Sequence, residues 1–258
     1  MVRSELGNDV QIHVGVHQAV SFEVELAGAG TAGNAPAYAP LLRACGMSEA
    51  LASAVSATYK PDTFESATLY FNVDGQQHKL TGCRGTWSLG INPQNIPTLN
   101  FTFTDLWNTP SAVSLATGVF TSYQVPLAVS DTNTPTATLH GVAMVMEDFS
   151  LDIANEVSHR DVVNSESIQI VDRSPTGSVK FEAPALGTKD WFSVAKANTT
   201  GALQIVHGLT SGNIIQIDAP AVQLLSPSYE DSSGITMINT NLSVIPSSGD
   251  DEISLVIK

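Results

Sequence analysis

Charge is scarce in this 258-residue chain. Charged residues make up 14 % against a usual quarter, and only 11 are Lys or Arg against 25 Asp or Glu, a net charge of −14. A surface that neutralises phosphates, the main source of nucleic-acid affinity, is therefore excluded, and DNA is expected to be repelled rather than held. No stretch approaches the roughly 18 uninterrupted apolar residues of a membrane span. The opening MVRSELGND has no apolar core after Arg3, so no membrane contact and no export signal are expected. Cysteine is nearly absent. Cys45 and Cys83 have neither a CxxC spacing nor a His at zinc spacing, which argues against a disulfide framework or a metal site and for two buried, reduced thiols.

What fills the chain instead is 43 % hydrophobic residues diluted by Ser, Thr, Asn, Gly and Pro, the composition of a strand-and-turn protein. Val20, Phe22, Val24 and Leu26 alternate with Ser21, Glu23 and Glu25, a strand with one dry and one wet face. The stretch APAYAPLLRACG (35–46) predicts a short helix opened by Pro36 and closed by Gly46, with Leu41, Leu42 and Cys45 on one face. Leu69, Phe71 and Val73 lead to Asp74-Gly75, a strong hairpin signal, and a return through Lys79 and Leu80. Two more strands are expected around Trp87, Leu89 and Ile91 and around Leu99, Phe101 and Phe103. Residues 107–138 carry three prolines and no clean period, as expected of an extended linker or arm. Beyond it Phe149, Leu151 and Ile153 form a strand, SHRDVVNSE reads as a hairpin loop, and Ile168 and Ile170 begin the return.

A strand–turn–strand–helix order occurs twice. VQI (10–12), VSFEVELAG and PLLRACG form the first set; IQI (168–170), SVKFEAPALG and TKDWFSVAKA, with Thr188 placed to cap the helix, form the second. Residues 85–104 and 234–258 then close each copy with a Gly-led strand, a Pro-containing turn and a last strand.

Chemistry-bearing motifs are few. Gly28, Gly30 and Gly33 spell the dinucleotide fingerprint GxGxxG after a strand. However, that strand puts Glu23 and Glu25 on a wet face, whereas a doubly wound sheet is dry on both. In addition, Asn34, Pro36 and Pro40 delay the helix past the third glycine, so a glycine-rich turn is the better reading. The histidines (13, 17, 78, 140, 159, 207) are scattered without HExxH or HxH, and neither GxSxG nor SxxK occurs. No catalytic residue, cofactor site or metal site is assigned, and no enzymatic activity is expected. Acidic residues do cluster: Glu147, Asp148, Asp152, Glu156, Asp161, Glu166 and Asp172 around the Phe149 hairpin, and Asp250, Asp251 and Glu252 before the last strand. A solvated face and a surface that repels polyanions both explain such clusters.

Taken in order, FEVELAG, GTAGNAPAYAPLLRACG, HKLTGCRGTWSLGINPQNIPTLNFTFT, IQIVDRSPTGSVKFEAP, GNIIQIDAPAVQLLSPSY and INTNLSVIPSSGDDE resemble the major tail protein, or tail tube protein, of long-tailed non-contractile bacteriophages, from about Val20 to Lys258. Relatives often carry a longer N-terminal segment, so the first unit is open to lacking an edge strand or arm, or to taking one from a neighbour. The resemblance implies a mainly β fold of tandem tube-like sandwich or barrel units, each with a short flanking helix. With the repeat it divides the chain into a first unit (1–106), an arm (107–138) and a second unit (139–258). It implies a structural subunit of the virion tail, assembled in the host cytoplasm, that stacks as rings into a hollow tube conducting double-stranded DNA without binding it specifically. Its implied partners are itself, the tape measure protein, the tail terminator and the distal tail protein. Two units per chain would make a ring of three chains; six chains with one unit each stays open. On this reading Trp107, Phe120 and Tyr123 of the arm are candidate contacts between units or rings. Glu147, Asp148, Asp152, Glu156, Asp250, Asp251 and Glu252 are candidates for the channel lining or for solubility alone. The competing reading is a monomeric β-sandwich that binds surface glycans.

Overall fold

Alternation of apolar and polar side chains gives a strand one core face and one wet face. The computed structural model, which describes residues 7–8 and 10–258, builds most of the chain from such strands. β1 (His17–Glu25) leads to α1 (Ala39–Ala44), where Pro40 occupies the first turn, a place that needs no N–H, and Ala39, Leu42 and Ala44 are buried. β2 (Met47–Ala52) and β3 (Ser56–Pro61) form a hairpin. β4 (Ala67–Val73) and β5 (Gln76–Ile91) form another, joined by Asp74 and Gly75 at φ 42° and 80°, the two positive values that a type I′ turn demands. β5 runs through Lys79 and Trp87 as one 16-residue strand where the sequence suggests two. There follow β6 (Thr98–Leu106), β7 (Ser111–Ala112), β8 (Thr136–Leu139), β9 (Val142–Ala143), β10 (Met146–Asp152), β11 (Asn155–Val162), β12 (Ser165–Arg173) and β13 (Thr176–Glu182). The chain ends with α2 (Trp191–Lys196), β14 (Thr200–His207), β15 (Ile215–Ser232), β16 (Ile235–Ile245) and β17 (Ser254–Ile257).

One antiparallel sheet runs in the order β1-β6-β5-β10-β13-β16-β15-β14-β8-β9; β4 and β7 join β5, and β17, β3 and β2 extend from β15. β11 and β12 form a separate ribbon. The neighbour order β1-β6-β5-β4 recurs as β13-β16-β15-β14, and in each run a short helix follows the first strand. β10 lies between the runs, with four register pairs to β5 and six to β13. The fold is thus mainly β with two short helices, and its sheet is open rather than closed into a barrel.

Several local expectations are corrected. VQI (10–12) is not a strand: the segment has no strand assignment and Ile12 is 86 % exposed. The matching ends of the two runs are β5–β6 and β15–β16, one strand earlier than residues 234–258 suggest. Pro220, Pro227 and a bulge at Ser226 (φ 51°) break the alternation that would mark β15 as one strand. SHRDVVNSE is mostly strand, with a turn of only Val163 and Asn164, and β10 pairs with β5 and β13 instead of with Ile168. α2 is capped by Asp190, whose carboxylate accepts from the N–H groups of Phe192 (3.1 Å) and Ser193 (3.0 Å), instead of by Thr188.

The dry faces meet in one continuous core. Phe22, Phe101 and Phe103 stack with centroids 5.8–6.0 Å apart, and Trp191 meets Phe181 edge-on at 5.3 Å. Cys45 and Cys83 are buried and free. Buried Asn155 donates to the carbonyls of Cys45 (2.7 Å) and Gly85 (2.9 Å), tying the start of the ribbon to the first run. Phe101→Ala is expected to destabilise the chain by about 3–5 kcal/mol through lost burial and an unfilled cavity. Urea unfolding followed by tryptophan fluorescence checks this.

Candidate functional site

The same alternation that fills the core leaves a second face on the sheet from β1 to β15, and its composition is distinctive. β6 presents Thr98, Asn100, Thr102 and Thr104 between buried Leu99, Phe101 and Phe103. β5 presents Thr86 and Ser88, β10 Ser150, β13 Thr176 and Ser178, and β16 Asn239, Asn241 and Ser243. These are short side chains with donors and acceptors but no charge. Neighbours bond across the strands, Ser21 to Thr102 at 2.9 Å and Ser150 to Ser178 at 2.7 Å. A groove of about 470 Å³ crosses β6, β5, β10, β13 and β16, floored by Ser88, Asn100, Ser150, Asp152, Ser178 and Asn241.

Charge enters this face sparsely. Lys180 on β13 lies 3.5 Å from both Glu147 and Glu230. A hydrogen bond from Asn239 (2.7 Å), and after it Lys180, hold the Glu230 carboxyl below its ordinary pKa. Glu147 occupies the bulge between Met146 and Asp148, and its carboxylate accepts from Ser232 at 2.9 Å. Asp148 and Asp152 alternate with buried Phe149 and Leu151 and so share the face of Ser150; Asp152 also accepts from the Ala154 N–H at 2.7 Å.

The structure does not bring the other acidic candidates to this face. Glu156 is exposed on the ribbon. Asp250 and Glu252 hold Arg173, at 3.1 and 3.0 Å, and both the Arg173 and Glu252 side chains are nearly buried. Asp251 accepts from the N–H groups of Ser247 and Ser248, which lowers its pKa. That trio fastens the loop before β17. The Ser, Thr and Asn alternation itself was the sequence signal for the shared face, visible in LNFTFT and in FSLD once polar positions are read as a row rather than as the reverse of the core.

The arm is pinned at intervals to its own chain. Asn108 donates to Thr81 (2.8 Å) and the Val113 N–H to Gly75 (2.9 Å). Further on, Val129 bonds with Asn95 (2.9 Å) and Thr134 with His207 (2.9 Å). Between these pins Leu115, Val119 and Phe120 are exposed. Phe120 and Tyr123 face each other at 6.4 Å, while Trp107, half exposed at the end of β6, makes no ring contact with either among the described residues. Gly28, Gly30 and Gly33 make a packed turn: the Gly28 N–H donates to Asn213 (2.6 Å), a Cβ at Gly28 would overlap the Gly212 carbonyl, and Gly30 and Gly33 have positive φ. They form no phosphate cradle. Among the described residues no group of acidic, His or Cys side chains is arranged to hold a metal.

Asp105 is the one core-face residue of β6 that the composition does not anticipate. It is fully buried, and neither carboxylate oxygen has a hydrogen-bond partner among the described residues. Burial raises its pKa to about 6, opposed by His17. Because the folded pKa lies above the unfolded one, ionised Asp105 opposes folding above pH 6, and that opposition disappears as pH falls below the ordinary carboxylate value near 4. Asp105→Asn is therefore expected to raise the melting temperature by a few degrees at pH 8 and to leave it unchanged near pH 4, by differential scanning calorimetry. An equal shift at both pH values would show that ionisation is not the cause.

A family model described as phage tail tube protein matches residues 5–256. Among curated proteins, nothing matches. The match spans nearly the whole chain, so the chain belongs to the phage tail tube family and is a structural component of the virion tail, which implies a non-enzymatic role.

Proposed function

With membership of this family as the premise, we propose that three copies of the chain form each ring of a hollow tail tube, that rings stack, and that double-stranded DNA passes through the channel to the host. The observation that carries this reading is the strand order β1-β6-β5-β4 repeated as β13-β16-β15-β14. It supports two tube units per chain, residues 1–106 and 139–258 joined by the arm 107–138, and hence three chains where single units would need six. The tail is of the long, non-contractile kind and assembles in the host cytoplasm, with the tape measure, tail terminator and distal tail proteins as partners. The exposed aromatic residues of the arm, Phe120 and Tyr123, are its candidate contacts with neighbouring units or rings.

In this reading the hydroxyl and amide face lines the channel. Short neutral side chains keep a bound water layer and offer phosphates no cation whose pairing would release counterions. Lys180 is held between two carboxylates, while Asp148, Asp152, Glu23 and Glu25 add repulsion at short range. DNA is confined without being gripped.

Negative-stain and cryo-electron microscopy of the concentrated chain, at low and raised salt, tests the ring. Tubes with a central hole and three chains per ring are expected, with salt favouring assembly by screening the acidic copies. Six chains per ring would overturn the two-unit reading. For the lining, Ser150→Lys with Ser178→Lys should give tubes that retain short duplex DNA in a salt-dependent manner while native tubes do not. Equal retention would place this face outside the channel.

A further inference from the structure

The two runs differ in what stands before them. β13 is flanked by β10, which fills the seam between β13 and the hairpin end of β5, pairing Ser88–Ile91. Among the described residues no strand stands beside β1 as β10 stands beside β13, and β1 pairs only with β6. Within the second run, the hairpin end of β15 is also unfinished among the described residues. Ser228–Ser232 pair with β16 on one edge and with no strand on the other, because β14 and β17 reach only the earlier part of β15. Ser228, Tyr229, Glu230 and Asp231 are exposed on both faces.

The segment leading into β1 has the pattern of the absent strand. Ile12, Val14 and Val16 alternate with Gln11, His13 and Gly15, and the three apolar side chains are 86 %, 84 % and 48 % exposed. Period-two alternation of β-branched residues is a strand signature, and so exposed a row has no use in an isolated chain. Gln11–Val14 form no backbone hydrogen bond among the described residues, and Gly15, at φ 66°, bends the chain just before β1. On the core side of β1, Val20, the apolar residue nearest that bend, is only half buried, so an apolar row folded back beside it would complete its cover.

Building on the ring reading, we propose that residues 11–16 form the seam strand between chains, lying beside β1 and pairing with Ser228–Ser232 of the next copy in the ring, as β10 lies between β13 and β5 within one chain. The partner is a second copy of this chain, and the chemistry is strand addition to an open edge.

Hydrogen–deuterium exchange of the full chain, as monomer and as assembled tube, tests this. Amides 11–16 and 229–232 should both exchange about a hundredfold more slowly in tubes than in monomers. In addition, Ile12→Pro with Val14→Pro should leave the monomer's melting unchanged and cut ring formation more than tenfold. Tubes in which 11–16 stay unprotected would overturn the seam strand and leave the ring standing. Protection of 11–16 without 229–232 would place the segment elsewhere and also overturn it. A native chain that never forms rings would overturn the ring reading and the seam with it.

Discussion

An open β-sheet cannot satisfy its own ends. Every strand inside it bonds on both edges, but the terminal strands leave a row of N–H and C=O groups facing outward, and such edges invite pairing with another chain. In this protein the constraint is acute, because the sheet is long and bears half-buried apolar residues on β1. The repeat handles one such junction internally by inserting β10 between the two runs. Two edges of the repeat, that of β1 and that of Ser228–Ser232, have no strand beside them among the described residues, and in the proposed ring they meet through the seam strand.

A second constraint follows from the first. The sheet keeps one face toward its own core and leaves the other wet, so the two faces answer to different demands, and in the proposed ring the wet face is the one turned inward on the assembly. The core face is filled by Trp87, Phe101, Phe149, Phe181 and similar residues packed to near-zero exposure. The other is built from Ser, Thr and Asn, which bond to each other and to water. Formal charge, scarce but lopsided at a net −14, is largely spent elsewhere: on the Arg173 clamp, on helix and loop caps, and on the ribbon.

Strands with strict alternation were legible residue by residue. Val20–Leu26, Leu99–Phe103 and Phe149–Ile153 fall in strands or just beyond their ends, and Asp74-Gly75 turns the hairpin it signals. β15 was not legible, since two prolines and a bulge interrupt the alternation along its 18 residues, and the second copy of the repeat was accordingly placed one strand late. The ribbon β11–β12 was misread for a related reason: SHRDV is polar on both faces because it is exposed on most sides, so periodicity carries no signal there. The acidic residues illustrate a different limit. Sequence proximity groups Asp250 with Asp251 and Glu252, yet two of them bind an arginine from β12 and the third caps a turn, and only tertiary contacts distinguish these roles from a free acidic surface.

The ladder between β10 and β5 spans four register pairs, and that between β10 and β13 spans six. Backbone bonds in a ladder fail together under shear but one at a time when peeled, so the shorter ladder is the softer joint. Opening those four pairs alone would free β10 from the first run while leaving it attached to the second, so the two halves of the repeat are joined unequally through their shared strand.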